Sequence, residues 1–242
     1  MKIFVFLLLL AAAPVFAQHA FYVGAFGGVN YNIESASGST FSGAVPCVLI
    51  PGGSGFGPLG GLLVEFPLSD KFSLSMRGMY NDASGTLQTS QTIAQYLDTA
   101  TNTYGNFNVQ HQIIARLTYV SLQPEILYAP FSFPLSFTGG IEAGYTITKT
   151  YQQNENIVNS NIVFLPSYTQ QLVVRPAGSP ITTAAAMRLA IGVGAEYMLP
   201  LSRVLFMAPG INFEIPVLKA TTDASWSIFQ LSGQIALKYR EP

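Results

Sequence analysis

Apolar and polar residues alternate with period two along much of the chain, most cleanly in "MRLAIGVGAEY", residues 187–197. One face carries Met187, Leu189, Ile191, Val193, Ala195 and Tyr197, and the other Arg188, Ala190, Gly192, Gly194 and Glu196. Such alternation predicts a strand whose two faces meet different surroundings. It recurs at 135–149, 205–215 and 229–239. Less regular strands are predicted at 20–32, 58–66, 71–81 and 114–128, with a change of phase near Tyr119 read as a β-bulge. The count is eight strands, with ten as an open alternative.

The connections alternate too. Short links are predicted at 67–71, 129–134 and 199–203, and long ones at about 33–57, 82–113, 150–186 and 216–225. The tripeptide "PLS" begins at Pro67, Pro134 and Pro200, near each short link, and Glu65, Glu125 and Glu196 precede its three copies. The polar faces hold mainly Gly, Ser, Thr and Ala with few charges. A solvated sheet face usually collects more charge, so these faces suit a narrow enclosed lumen. The expected fold is therefore all-β: a transmembrane antiparallel up-and-down β-barrel with short periplasmic turns and long outer loops.

Composition narrows the field. Of 242 residues, 49% are hydrophobic and only 10% charged, which excludes a disordered chain. A formal net charge of −1 without a basic cluster excludes nucleic acid as a partner. The opening "MKIFVFLLLLAAAPVFAQ" is read as a signal peptide over residues 1–17, leaving 18–242 as the barrel domain. Its apolar run is shorter than the ~20 residues of a spanning helix. Cys47 stands alone in a Gly/Pro-rich stretch and is read as a bystander.

Nine charged residues are expected to face the lumen: Glu65, Arg77, Arg116, Glu125, Glu142, Arg188, Glu196, Glu214 and Lys238. An eight-stranded barrel is about wide enough for side chains to fill it. Charges inside must then pair, because an isolated buried ion is costly. The expectation is a structural charge network, with an ion-selective pore as the alternative. A turn centred on Leu201 is predicted to set Arg188 directly opposite Glu214.

The stretch "LTYVSLQPEILYAP" resembles a strand-and-turn element of the PorT-like barrels, and the whole architecture resembles the small OmpA-like outer-membrane barrels. The alternating "FQLSGQIALKY", ending on Tyr239, resembles the closing strand that barrel-assembly machinery reads. The resemblance implies an outer-membrane location, contact with outer-membrane lipid and lipopolysaccharide, and a monomer. The expected role is structural or surface-interacting, through long loops able to meet an extracellular ligand. The alternatives are a narrow channel for ions or small solutes and a barrel enzyme acting on lipid or peptide. For the last, His111 with Asp82 or Asp98 is the acid/base candidate, but a His-x-Ser spacing is missing. No catalytic, cofactor or metal site is expected, and "GGSGFGPLGG" at 52–61 is read as a loop.

Overall fold

A computed structural model describes residues 21–37, 50–98, 103–158, 169–222 and 225–241. The predicted leader, His19 and Cys47 lie outside these residues. Antiparallel strands dominate, and they close into one ring.

Among the described residues, eleven hydrogen-bonded runs reduce to eight physical strands. β1 is Tyr22–Ser37 and β2 is Gly52–Pro67. β3 comprises Phe72–Asp82 and Gly85–Asp98: Asp82 faces Thr118 and Gly85 faces Ala115, so one register runs through the break. β4 is Thr103–Tyr128 and β5 is Leu135–Ile157. β6 comprises Gln171–Pro180, Met187–Tyr197 and Leu199–Pro200. β7 is Leu205–Pro216 and β8 is Ser225–Arg240. Each strand pairs with the next, and β8 returns to β1 from Tyr22–Arg240 to Ser37–Ser225. Closure leaves no edge where the ring is complete, as a bilayer demands.

The barrel is inside-out compared with a water-soluble domain. Leu62, Leu122, Ile141, Val193, Ile211 and Ile235 point outward and are exposed, while eight of the nine predicted lumen charges are buried. Aromatic rings bound this apolar belt. At the turn end, Phe72 stacks on Tyr128 at 4.8 Å and Phe131 on Phe133 at 4.6 Å. At the other end, Tyr31 meets Phe56 at 5.0 Å, with Tyr80 and Tyr145 also exposed.

Two "PLS" copies build the same turn. In the first, Leu68 N and Ser69 N donate to Phe72 O, and Ser69 Oγ accepts from Phe72 N at 3.2 Å. In the other, Leu201 N and Ser202 N donate to Leu205 O, and Ser202 Oγ accepts from Leu205 N at 3.0 Å. The copy at Pro134 differs: its Leu135 already opens β5, and the turn precedes it.

Several expected loops are strands. Residues 33–37, 52–57, 85–98, 103–113, 150–157 and 171–180 extend the barrel wall beyond the apolar belt. Their Thr, Gln and Asn residues hide the strand period, because above the belt neither face meets lipid. "GGSGFGPLGG" is the upper half of β2, where glycine permits close packing: a Cβ at Gly53 would stand 2.0 Å from Thr86 O.

Candidate functional site in the barrel lumen

Because side chains alternate across each strand, the inward residues stack in layers along the barrel. Nearest the short turns lies a charged layer. Lys238 Nζ donates to Glu65 Oε2 at 2.7 Å and also to Glu196, while Arg77 Nε lies 2.9 Å from Glu125 Oε2. Arg77 Nη2 reaches Glu196 Oε2 at 3.4 Å. The Arg77–Glu125 contact has ion-pair distance but lacks hydrogen-bond alignment. Glu65 and Glu196 precede turns of one design, four residues before Ser69 and six before Ser202, and both carboxylates accept from Lys238 Nζ.

An apolar layer of Phe26, Leu59, Leu63, Met79, Ala208 and Ala236 follows, with the Arg77 guanidinium 5.1 Å from the Phe26 ring centroid. Above it sits a second charged layer. Arg188 Nε donates to Glu142 Oε2 at 2.7 Å, and Nη2 donates to Glu214 Oε2 at 2.9 Å and Gln230 Oε1 at 2.6 Å. Glu142 Oε1 accepts from Ser121 Oγ at 2.7 Å and Asn81 Nδ2 at 3.0 Å. Asn30, Asn32 and Gln230 extend the lattice. Satisfied partners on this scale are what make buried charge tolerable.

Beyond the upper charged layer, away from the turns, lies an apolar cluster. Leu87, Leu117, Tyr119, Ile181, Trp226 and Ile228 belong to one buried cluster. β6 breaks at 181–186 as the chain turns inward, placing Ile181 and Ala184 in that cluster. The 217–222 connection lies beside the break, with Ala185 N donating to Ala220 O at 2.9 Å and Thr222 N to Thr183 O at 2.9 Å.

The structure brings Glu65, Arg77, Glu125, Glu142, Arg188, Glu196, Glu214 and Lys238 into these two layers. Arg116 is a correction: it is exposed on the outer face. The bulge lies in β5, where the pairing passes from Thr118–Thr148 to Tyr119–Thr146 and leaves Ile147 unmatched. β4 therefore keeps its phase, with odd-numbered residues inward from His111 to Leu127. The Leu201 register is a second correction. Glu214 faces Gly192, not Arg188. The ion pair forms diagonally, and Gly192 leaves room for two lumen amides, since a Cβ there would stand 3.0 Å from Gln123 Nε2 and 3.3 Å from Asn212 Nδ2.

Glu34 is a lumen residue that sequence reading missed. It is only 4% exposed, and neither carboxylate oxygen has a hydrogen-bond partner among the described residues. Gly85 makes room for it, since a Cβ there would stand 2.0 Å from Glu34 Oε1. The run Asn30, Asn32, Glu34 continues the inward phase of β1 and was the available signal. His111 is buried in β4 rather than at a loop foot, with Nδ1 3.3 Å from Glu155 Oε1 and no partner on Nε2 among the described residues. Asp82 opens outward beside Ser84, and the Asp98 side chain lies outside the described residues.

A closed antiparallel ring, an apolar outer belt between aromatic girdles and a polar packed interior define a membrane-spanning β-barrel of the small bacterial outer-membrane class. No protein-family model matches the sequence, and no curated protein does. Among solved structures the chain is similar to three proteins in this class. Ail, the attachment invasion locus protein of Yersinia pestis, is 9% identical with a TM-score of 0.38, covering 91% of this chain and 100% of that one. Neisserial surface protein A is 12% identical with a TM-score of 0.39, over 92% and 100%. The outer-membrane protease OmpT from Escherichia coli is 7% identical with a TM-score of 0.40, over 93% and 98%. Likeness at this level carries no functional argument, and the assignment rests on the barrel's own geometry.

Proposed function

We propose that this chain is an integral outer-membrane barrel with a closed lumen, serving a structural or surface-interaction role through the wall and loops beyond its apolar belt. The packed lumen carries this reading. Two charged layers enclose an apolar one, and the Trp226–Ile181 cluster covers the end opposite the short turns. A side-chain column of this kind obstructs a continuous water path. Binding to an extracellular ligand then falls to the extended strands and loops, as is usual for function on a rigid scaffold.

Two measurements test it. The folded barrel should migrate faster than its boiled form in the outer-membrane fraction, and tags beside Lys219 should be reachable from outside while tags beside Asp70 or Ser202 are not. In planar bilayers the wild type should show no steady conductance. Sustained cation-selective current would favour the channel reading instead, because the described lumen carries six carboxylates (Glu34, Glu65, Glu125, Glu142, Glu196 and Glu214) against three cations (Arg77, Arg188 and Lys238). An enzyme reading would need a nucleophile beside His111. Hydrolysis of lipid or peptide that is lost in His111→Ala would overturn the non-enzymatic assignment.

A further inference from the structure

On the outer wall, a polar pocket of about 460 Å³ opens at the strand break of β3, within the usual size of a small-ligand site. Asp82, Arg116, Thr118 and Thr148 line it, together with the exposed rings of Phe56 and Tyr80. Asp82 faces Thr118, and Thr118 faces Thr148, so the pocket spans three adjacent strands. Asp82 is held in place: its Oδ1 accepts from Ser84 N at 2.9 Å, while Asn32 Nδ2 donates to Asp82 O from the lumen side. Arg116 is exposed and has neither an ion pair nor a hydrogen bond among the described residues. Thr118 is only 6% exposed, and its Oγ1 lacks a partner among them.

Each of these groups asks something different of a ligand. Arg116 and the Thr118 hydroxyl offer donors that suit a phosphate. The Asp82 carboxylate repels a second anion and accepts from an O–H donor, such as a sugar hydroxyl. Phe56 and Tyr80 present apolar ring faces to the C–H side of a pyranose. A phosphorylated sugar answers all of them.

Tyr80 also borders a second cavity, an apolar groove of about 700 Å³ on the lipid-facing wall. One row across the strands reads Leu62, Gly78, Leu122 and Ala143. Gly78 and Ala143 form the depression, and Tyr145 and Met187 help to wall it. With the short turns toward the periplasm, the polar pocket stands at the outer-leaflet end of this groove. The lipid of that leaflet carries phosphorylated glucosamine on acyl chains.

We propose that this composite site seats one phosphoglycolipid of the outer leaflet. A phosphate lies on Arg116 and Thr118, a sugar hydroxyl donates to Asp82, and one acyl chain follows Gly78. The proposal rests on the membrane-barrel reading and its orientation. Arg116 and the Asp82 side chain serve no lumen network, so replacing them leaves the barrel's interior intact.

Purified full-length barrel in detergent would be titrated with lipid A, with lipid A stripped of its phosphates, and with phosphatidylglycerol, and bound lipid counted by native mass spectrometry. Folding and orientation are read separately, from the band shift on boiling and from tags beside Lys219 and Asp70. A missing shift, or an Asp70 tag reached from outside intact cells, would overturn the barrel reading. Normal results there isolate the lipid question. Intact lipid A should be retained best. Arg116→Gln should lower its retention roughly tenfold, the size of one charge-assisted contact, and leave the weaker retention of the stripped lipid unchanged. Asp82→Asn should lower lipid A retention while phosphatidylglycerol, which has phosphate and chains but no sugar, stays unchanged or rises. Unchanged lipid A retention in Arg116→Gln overturns the site. Equal retention of phosphatidylglycerol by the wild type, or a rise for lipid A in Asp82→Asn, overturns the sugar contact. Glucosamine 1-phosphate, which lacks acyl chains, should compete only weakly, and equal competition would make a soluble sugar phosphate the occupant instead.

Discussion

At the turn end of the lumen two cations share three carboxylates, whereas in the upper layer Arg188 alone holds Glu142 and Glu214. The lower layer has overlap. Glu196 touches both Arg77 and Lys238, so either cation can be lost without stranding it. The upper layer has none, and it compensates with neutral partners: Ser121 and Asn81 donate to Glu142, and Gln230 accepts from Arg188. Buried charge is therefore managed in two ways within one barrel. One uses shared counter-ions, and the other uses a single hub in an amide lattice.

The sharpest break in this comparison is Arg188→Met. Removing the hub leaves two buried carboxylates without a cation, a situation that typically costs about 3–5 kcal/mol. Urea unfolding of the barrel in lipid vesicles should show a loss of that order. A loss below about 1 kcal/mol would place the upper layer with well-solvated pairs instead. Lys238→Met should cost less, about 1.5–3 kcal/mol, because Glu196 keeps Arg77 and only Glu65 loses its cation. Equal losses for the two variants would dissolve the distinction between hub and shared counter-ions.

A double-mutant cycle on Arg188 and Glu214 sharpens the upper layer further. The two residues are not cross-strand neighbours, yet they meet at 2.9 Å. Arg188→Ala and Glu214→Ala should therefore be non-additive, with a coupling of about 0.5–3 kcal/mol. Additive losses would mean the diagonal contact does not persist in the membrane.

What was legible in the sequence follows the environment of each strand. Period-two alternation arises where lipid lies on one face and a packed lumen on the other, and all eight strands show it there. Above the belt that contrast ends, so the polar walls at 85–98 and 150–157 look like loops, and Glu34 is lost among them. Arg116 was misplaced for another reason. A bulge can be inferred from a lapse in alternation, but the sequence does not say which of two paired strands absorbs the extra residue. Here Ile147 absorbs it, and β4 runs through unchanged. The Arg188–Glu214 contact shows the converse: the register was misread by the turn's true position, yet Arg188 is long enough to span the difference.

The smallest expected effect tests how the lower layer is positioned. Glu65 and Glu196 stand just before two turns of one design, in which Ser69 Oγ and Ser202 Oγ accept from the backbone N–H groups of Phe72 and Leu205. Glu125 precedes a different turn, and Ser136 of the remaining "PLS" copy lies inside β5, facing Glu196 across the strands. If the serines fix the turns that aim Glu65 and Glu196, Ser69→Ala and Ser202→Ala should each cost about 0.5–1.5 kcal/mol, the worth of one hydrogen bond. Ser136→Ala should stay within about 0.5 kcal/mol. The discriminating step combines each serine change with Lys238→Met. A turn that positions the carboxylates for Lys238 should couple to it, whereas neither serine change should couple to Arg188→Met, whose layer is separated from the turns by Phe26, Leu63 and Met79. Coupling to Arg188 but not to Lys238 would reverse the assignment and show that turn strain travels along the wall to the upper layer.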